Sequence, residues 1–235
     1  RAVLSPLGTT FMLARLQADG PATAVIRARC PEAGWYLCAF ADRLPMDAND
    51  FLWASDSPVN RDAAGVPRFL GGAAISPEAG QIVAATLREH PDEVARAVLH
   101  NSVEQLVTVG IGDTLGEDHL AAALRPRLVE GFPAREVAAF DASLQARGAL
   151  RAAVVWLGPV QGVVLLLSLP LIAAALWRSG GATRVWIVVA VLVGLAANAV
   201  ATGGLSGVFP RYQARVAWLL PVLAMLLLLP LRRRI

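Results

Sequence analysis

Three groups of side chains in this 235-residue chain have types and spacings that suit chemistry. The first is Cys30 and Cys38 in CPEAGWYLC, whose seven intervening residues can close a small disulfide loop in an oxidising compartment. The second is Arg211, Tyr212 and Arg215 in FPRYQARVAW. A guanidinium fork can hold a lipid phosphate bidentately, and these residues are expected at a membrane interface. The third is the segment from Trp35 to Ala74, where Asp42, Asp47, Asp50, Asp56 and Asp62 alternate with Phe40, Phe51, Trp53, Phe69 and several prolines.

The acidic run lacks the ligand positions and sixth-position glycine of a calcium loop. Its carboxylates are expected in helix caps, turns and pairs with Arg43, Arg61 or Arg68, and Trp35, Asp47, Asp50, Phe51 and Trp53 are the candidate partner surface. His90, His100 and His119 show no pairing at ligand spacing, so neither a metal nor another cofactor is expected. His90, ahead of Pro91, is expected to be exposed, and His100 to be a helix-surface or partly buried structural residue. The local signatures of serine hydrolases, nucleotide enzymes, dinucleotide enzymes and zinc proteases are missing, and no residue nominates itself as a nucleophile.

The elements that position these groups follow from an uneven composition. Hydrophobic residues make up 56% of the chain and charged residues 17%, with a mean hydropathy of +0.54. Residues 1–150 carry 13 Arg against all 18 Asp and Glu, net −5, whereas residues 151–235 carry 8 Arg and no acid, net +8. Two halves in different solvents are implied, and the basic half points to a membrane rather than to nucleic acid. Residues 154–177 contain no ionisable side chain. As a helix they reach roughly 36 Å, enough for a bilayer core of about 30 Å. Further spans are expected at 185–202 and 216–231, with Gln161, Asn198 and Thr202 as hydrogen-bonding groups between helices.

Arginine placement orients the chain. Arg178 and Arg184 flank the first connection, and Arg232, Arg233 and Arg234 end the chain; three spans put these five on one side, read as cytoplasmic. Arg211, Arg215 and residues 1–150 then lie on the other side, the periplasm of a bacterium. Trp156, Trp177, Trp186 and Trp218 fall near the span ends, as interfacial aromatics do. The expected architecture is an all-α membrane protein: a helical periplasmic domain over 1–150, irregular from Trp35 to Ala74, followed by a transmembrane domain over 151–235. Within the first part, helices are expected from the TTFMLARLQADG segment up to Gly20, from Ser76 as N-cap to Pro91, from Pro91 to Gly110, over 117–129, and from Pro133 nearly into the first span. Because the chain begins at Arg1 rather than Met, an upstream signal or membrane segment is expected before it.

The segments GTTFMLARLQADG, CPEAGWYLCAFADRLPMDANDFLW and FPRYQARVAWLLP resemble polytopic inner-membrane proteins of high-GC proteobacteria that have no assigned activity. The resemblance extends over most of the chain and implies a periplasmic domain followed by membrane helices. More narrowly, Pro210-Arg211-Tyr212 ahead of a Leu-rich helix is similar to the re-entry segment of polyprenyl-phosphate-dependent glycosyltransferases. The expected function is a non-catalytic accessory or scaffolding subunit of a bacterial inner-membrane complex, with membrane lipids and other integral membrane proteins as partners. The alternative is a membrane enzyme or enzyme fragment acting on a lipid-linked substrate at the periplasmic interface. It would use Arg211 and Arg215 for the phosphate and an Asp from 42–56 as base.

Overall fold

A computed structural model describes residues 7–118, 120–179 and 181–229. His119 and the three terminal arginines therefore lie outside the described residues. Helices dominate, and among the described residues there is no strand, only an isolated antiparallel bridge between Arg61 and Pro67. Three candidate membrane-spanning segments, Ala149–Arg178, Ala182–Gly204 and Pro210–Leu228, follow a helical region, so the chain is an all-α protein with a membrane-embedded part.

The chain forms two compact units, one comprising the residues up to Glu104 together with Ala199–Val208, the other Gln105–Asn198 together with the residues from Phe209 on. In the first unit, α1 (Gly8–Ala18) buries Thr10, Leu13, Ala14 and Gln17. This spacing of three and four residues makes one helix face. It packs on α4 (Gly71–Glu89), whose buried positions Ile75, Ala79, Ile82, Val83 and Thr86 follow the same period. The Thr10 hydroxyl donates to the Gly72 carbonyl at 2.8 Å, and Thr9 shares a 2.7 Å hydrogen bond with Ser76.

The start of α4 differs from the expectation. Ser76 and Pro77 are not its first turn; the helix begins at Gly71 and Pro77 lies inside it. Burial of Ile75 and the Thr9–Ser76 bond hold this extra turn in place, and tertiary packing here outweighs the amide that proline lacks. A second difference is α2 (Pro21–Arg29), which sequence reasoning missed. Gly20 takes φ 109°, a conformation few other residues adopt, and Pro21 then supplies a fixed φ for the first helical position.

The segment from Trp35 to Ala74 contains ordered short elements: a 3-10 segment (Tyr36–Arg43), α3 (Ala48–Trp53) and linked turns. Glu78 anchors the first of these, accepting from Tyr36 N at 2.6 Å and Leu37 N at 3.0 Å. The Cys30–Cys38 disulfide ties the end of α2 to this segment. Gln17, fully buried, clamps the backbone of Met46: its amide nitrogen donates to the Met46 carbonyl at 2.7 Å and its oxygen accepts from Met46 N at 2.8 Å.

Next comes α5 (Pro91–Val107), followed after an irregular stretch by a π-turn (Leu120–Leu124), α6 (Arg125–Gly131) and α7 (Ala134–Asp141). The helix expected from Pro133 into the first span is interrupted: α7 stops at Asp141, and Gly148, with φ 71°, precedes α8 (Ala149–Val154). The remaining elements are α9 (Leu157–Ser179), α10 (Ala182–Ala199) with a π-turn (Val200–Gly204), α11 (Pro210–Ala217) and α12 (Leu219–Leu228). In the second unit Ile172, Ala175, Val188, Leu223, Ala224 and Leu227 form an apolar core. Most other apolar side chains of the three segments remain exposed, as lipid-facing surfaces do. Ile172 and Ala175 lie on α9, opposite Leu223, Ala224 and Leu227 of α12. The last candidate span starts at Pro210, earlier than the expected 216, because Pro210 opens a helix whose Gln213 and Ala217 are buried one turn apart.

Candidate functional site

Three of the five acidic side chains between Trp35 and Ala74 are engaged within that segment. Asp47 accepts from Asn49 N and Asp50 N and so caps α3. Asp62 accepts from Ala64 N at 2.9 Å and Val66 N at 2.8 Å, forming a turn, while Asp56 pairs with Arg43 at 3.2 Å. Arg61 donates to the carbonyls of Ser55 and Gly65, and Arg68 lies 4.0 Å from the Tyr36 ring centre. Caps, turns and one acid–arginine pair thus account for Asp47, Asp56 and Asp62. Asp50 is exposed, with its backbone N–H held by Asp47. Among the described residues no three histidine, cysteine or acidic side chains are grouped to hold a metal ion.

Burial redraws the candidate partner surface. Phe51 is 0% exposed and belongs to the core with Leu13, Leu37, Ile75 and Ile82, so it offers nothing to a partner. Alternation with acids in the sequence concealed that α3 turns its ring inward. Trp35 is half-buried and its indole N–H donates to Gln81 at 3.2 Å. Trp53 remains 59% exposed, its ring 6.0 Å from that of Phe11. The most exposed apolar pair is Phe69 (90%) and Leu70 (67%), and Leu70 holds a left-handed backbone with φ 51°. That conformation costs a side-chain-bearing residue about 1–2 kcal/mol. It is tied to the entry of α4, where Gly71 presses so closely that a β-carbon would lie 1.7 Å from the Val59 carbonyl oxygen.

Tyr36 is held by the turns that precede Phe69. Its hydroxyl lies 3.0 Å from the Pro58 carbonyl and 2.9 Å from that of Arg61. Burial raises the phenol pKa above its ordinary value, a shift that the neighbouring Arg68 guanidinium partly offsets. A hollow of about 390 Å³ elsewhere on the first unit is lined by Asp19, Glu93, Arg96, His100 and Asn101. Its charges are paired: Arg15 with Asp19, Arg96 with Asp92 at 3.0 Å, and His90 with Glu93 at 3.1 Å. His90 is half-buried rather than exposed, and His100 lies on the surface of α5.

In the second unit, Arg211, Tyr212 and Arg215 occupy the first two turns of the Pro210–Leu228 segment, not the connection ahead of it. The Arg211 guanidinium lies 4.2 Å from the Phe209 ring centre and 4.8 Å from that of Tyr212, and it donates to Asp113 at 2.7 Å. Arg215 reaches the same Tyr212 ring at 5.3 Å and is exposed. Gln105, fully buried, holds the entry to this helix: Phe209 N donates to its side-chain oxygen at 2.8 Å, and its amide donates to the Phe209 carbonyl at 3.0 Å. Asn198 adds a link between α10 and α11, donating to the Tyr212 carbonyl and to Gln213. Gln161, expected to hydrogen-bond between helices, keeps a buried side-chain oxygen with no partner among the described residues.

Sequence reasoning found Arg211, Tyr212 and Arg215 but missed Asp113 and Gln105. Gln105 carries a weak signal, a polar residue continuing the helical stripe of Val94, Val98 and Asn101. Asp113 lies 98 positions from its partner and carries none. The chain matches no family model, no curated protein and no solved structure.

Proposed function

We propose that this protein is a non-catalytic accessory or scaffolding subunit of a bacterial inner-membrane complex, anchored by three spans and presenting its helical N-terminal unit to an integral membrane partner. The observation that carries this reading is the Phe69–Leu70 edge, where two large apolar side chains stand in solvent, the second on a left-handed backbone. Folding by itself gains nothing from exposing them there, and an exposed apolar edge of this kind suits an interface core. Trp53, with Asp47 and Asp50 as exposed acids on the same short helix, supplies a second apolar contact and a polar rim.

The proposed orientation places residues 1–150 in the periplasm and the C-terminus in the cytoplasm. Two crossings separate Asp113 from Arg211, and the two residues nevertheless meet at 2.7 Å. An even number of crossings returns the chain to the same side, which supports counting both intervening helices as spans. The disulfide between Cys30 and Cys38 favours an oxidising location for that side, and the arginines flanking the first connection favour a cytoplasmic location for the other.

The test is purification of the Phe69→Asp, Leu70→Asp double variant in mild detergent beside the wild type. The reading expects a stoichiometric partner with the wild-type chain and its loss from the variant, while the variant's melting midpoint stays unchanged because both side chains are exposed. A partner retained in full by the variant would refute this surface.

A further inference from the structure

The geometry points to a binding site for the phosphate of an anionic phospholipid headgroup on Arg211, Tyr212 and Arg215, with the Asp113 carboxylate as an internal competitor for the same guanidinium. This inference rests on Pro210–Leu228 being a membrane span and is independent of the Phe69–Leu70 surface. Arg211, Arg215 and Trp218 follow one another at intervals of four and three residues, which aligns them along one face at the start of that span. Trp218 is 54% exposed and its indole N–H donates back to the Arg215 carbonyl, so its ring suits the interfacial layer. A headgroup phosphate at that depth meets two guanidinium groups and a phenol.

Arg211 is preorganised for an anion. The Phe209 and Tyr212 rings, edge to face at 87°, flank its guanidinium at 4.2 and 4.8 Å, and Gln105 fixes the backbone that carries Phe209. One of its N–H groups already holds an anion, the Asp113 carboxylate, in a contact that leaves Arg211 30% and Asp113 18% exposed. Arg215 has no carboxylate partner among the described residues, and no acid occurs anywhere after Asp141. The site therefore holds one guanidinium with a replaceable carboxylate and one with none. A phosphodiester bridging the two takes up charge-assisted hydrogen bonds on both sides, and Asp113 limits its hold on Arg211.

The experiment is native mass spectrometry of the full chain in mild detergent, titrated separately with phosphatidylglycerol and with phosphatidylcholine of the same acyl chains. Wild type is expected to retain phosphatidylglycerol preferentially. Arg215→Gln, an exposed substitution that spares the fold, is expected to weaken that retention about tenfold, the worth of one charge-assisted hydrogen bond. Asp113→Asn is expected to strengthen it, since the competing charge is gone while the side-chain shape remains. Equal retention by wild type and Arg215→Gln overturns the site, equal retention of the two lipids overturns the requirement for an anionic headgroup, and unchanged retention by Asp113→Asn overturns the role of Asp113. A final arm adds inorganic phosphate alone: displacement of the lipid at millimolar concentration would mark a soluble-phosphate site and overturn the assignment to lipid.

Discussion

Replacing Gln105 by leucine tests how the entry to the third span is held. The wild-type amide satisfies both backbone polar atoms of Phe209, at 2.8 and 3.0 Å, and is itself 0% exposed. Leucine has a similar size but no polar atom, so the Phe209 N–H loses its partner, while the Phe209 carbonyl keeps the 3.0 Å bond from Tyr212 N. The orphaned N–H costs about 1–3 kcal/mol and the lost bond to the carbonyl about 0.5–1.5 kcal/mol, from which leucine's own apolar burial recovers roughly 1–2 kcal/mol. A net loss of about 1–2 kcal/mol lowers the melting midpoint of a chain this long by roughly 2–8 °C. Thermal unfolding in one detergent, followed by tryptophan fluorescence, measures it. Val107→Gln, at a position 75% exposed on the same helix, is the control and should change stability by less than about 0.5 kcal/mol. Gln105→Glu sharpens the test: its carboxylate still accepts from Phe209 N but repels the Phe209 carbonyl. Its stability should therefore be low at neutral pH and recover on acidification, when a protonated carboxyl can donate. A Gln105→Leu midpoint within about 1 °C of wild type would refute the reasoning.

Three further outcomes follow from the first unit. Phe51→Ala, which empties a ring site that is 0% exposed, should destabilise that unit by about 3–5 kcal/mol in chemical denaturation. Gly71→Ala should be more disruptive than its single methyl group suggests, because that carbon would fall 1.7 Å from the Val59 carbonyl oxygen; loss of near-ultraviolet circular dichroism or of folded yield measures it, and a wild-type melt would contradict the packing. Tyr36 should titrate above the ordinary value of 10.0, and Tyr36→Phe identifies its transition in an ultraviolet pH titration, since Tyr212 is the only other tyrosine. Because the folded state holds that proton more tightly than the unfolded chain, the contribution is intact below pH 10 and is lost as pH rises through the folded-state value.

How much was legible in advance follows from range. The first two spans stand out because hydropathy is a local sum, and long apolar runs leave little choice of solvent. The third is blurred: Arg211 and Arg215 lower the local hydropathy, so its start at Pro210 is concealed although a proline at the first helical position is a known opening signal. Pro21 opens α2 by the same first-position signal, and sequence reasoning passed over it. Phe51 and Phe69 look alike in an acidic, aromatic run, yet one is core and the other is 90% exposed; α3 decides this by its packing, which no local pattern records. The caps and turns made by Asp47 and Asp62 were foreseeable because they close within four residues. The Arg211–Asp113 and Gln105–Phe209 contacts span 98 and 104 positions and depend on how the helices pack.

The central claim, that this chain is a subunit of a larger membrane complex, is tested most directly by native mass spectrometry of the wild-type particle extracted from its own membrane in mild detergent. The account predicts a discrete assembly in which this chain stands in fixed stoichiometry with a second integral membrane protein. A particle containing this chain alone, with lipids as its only companions, would contradict it.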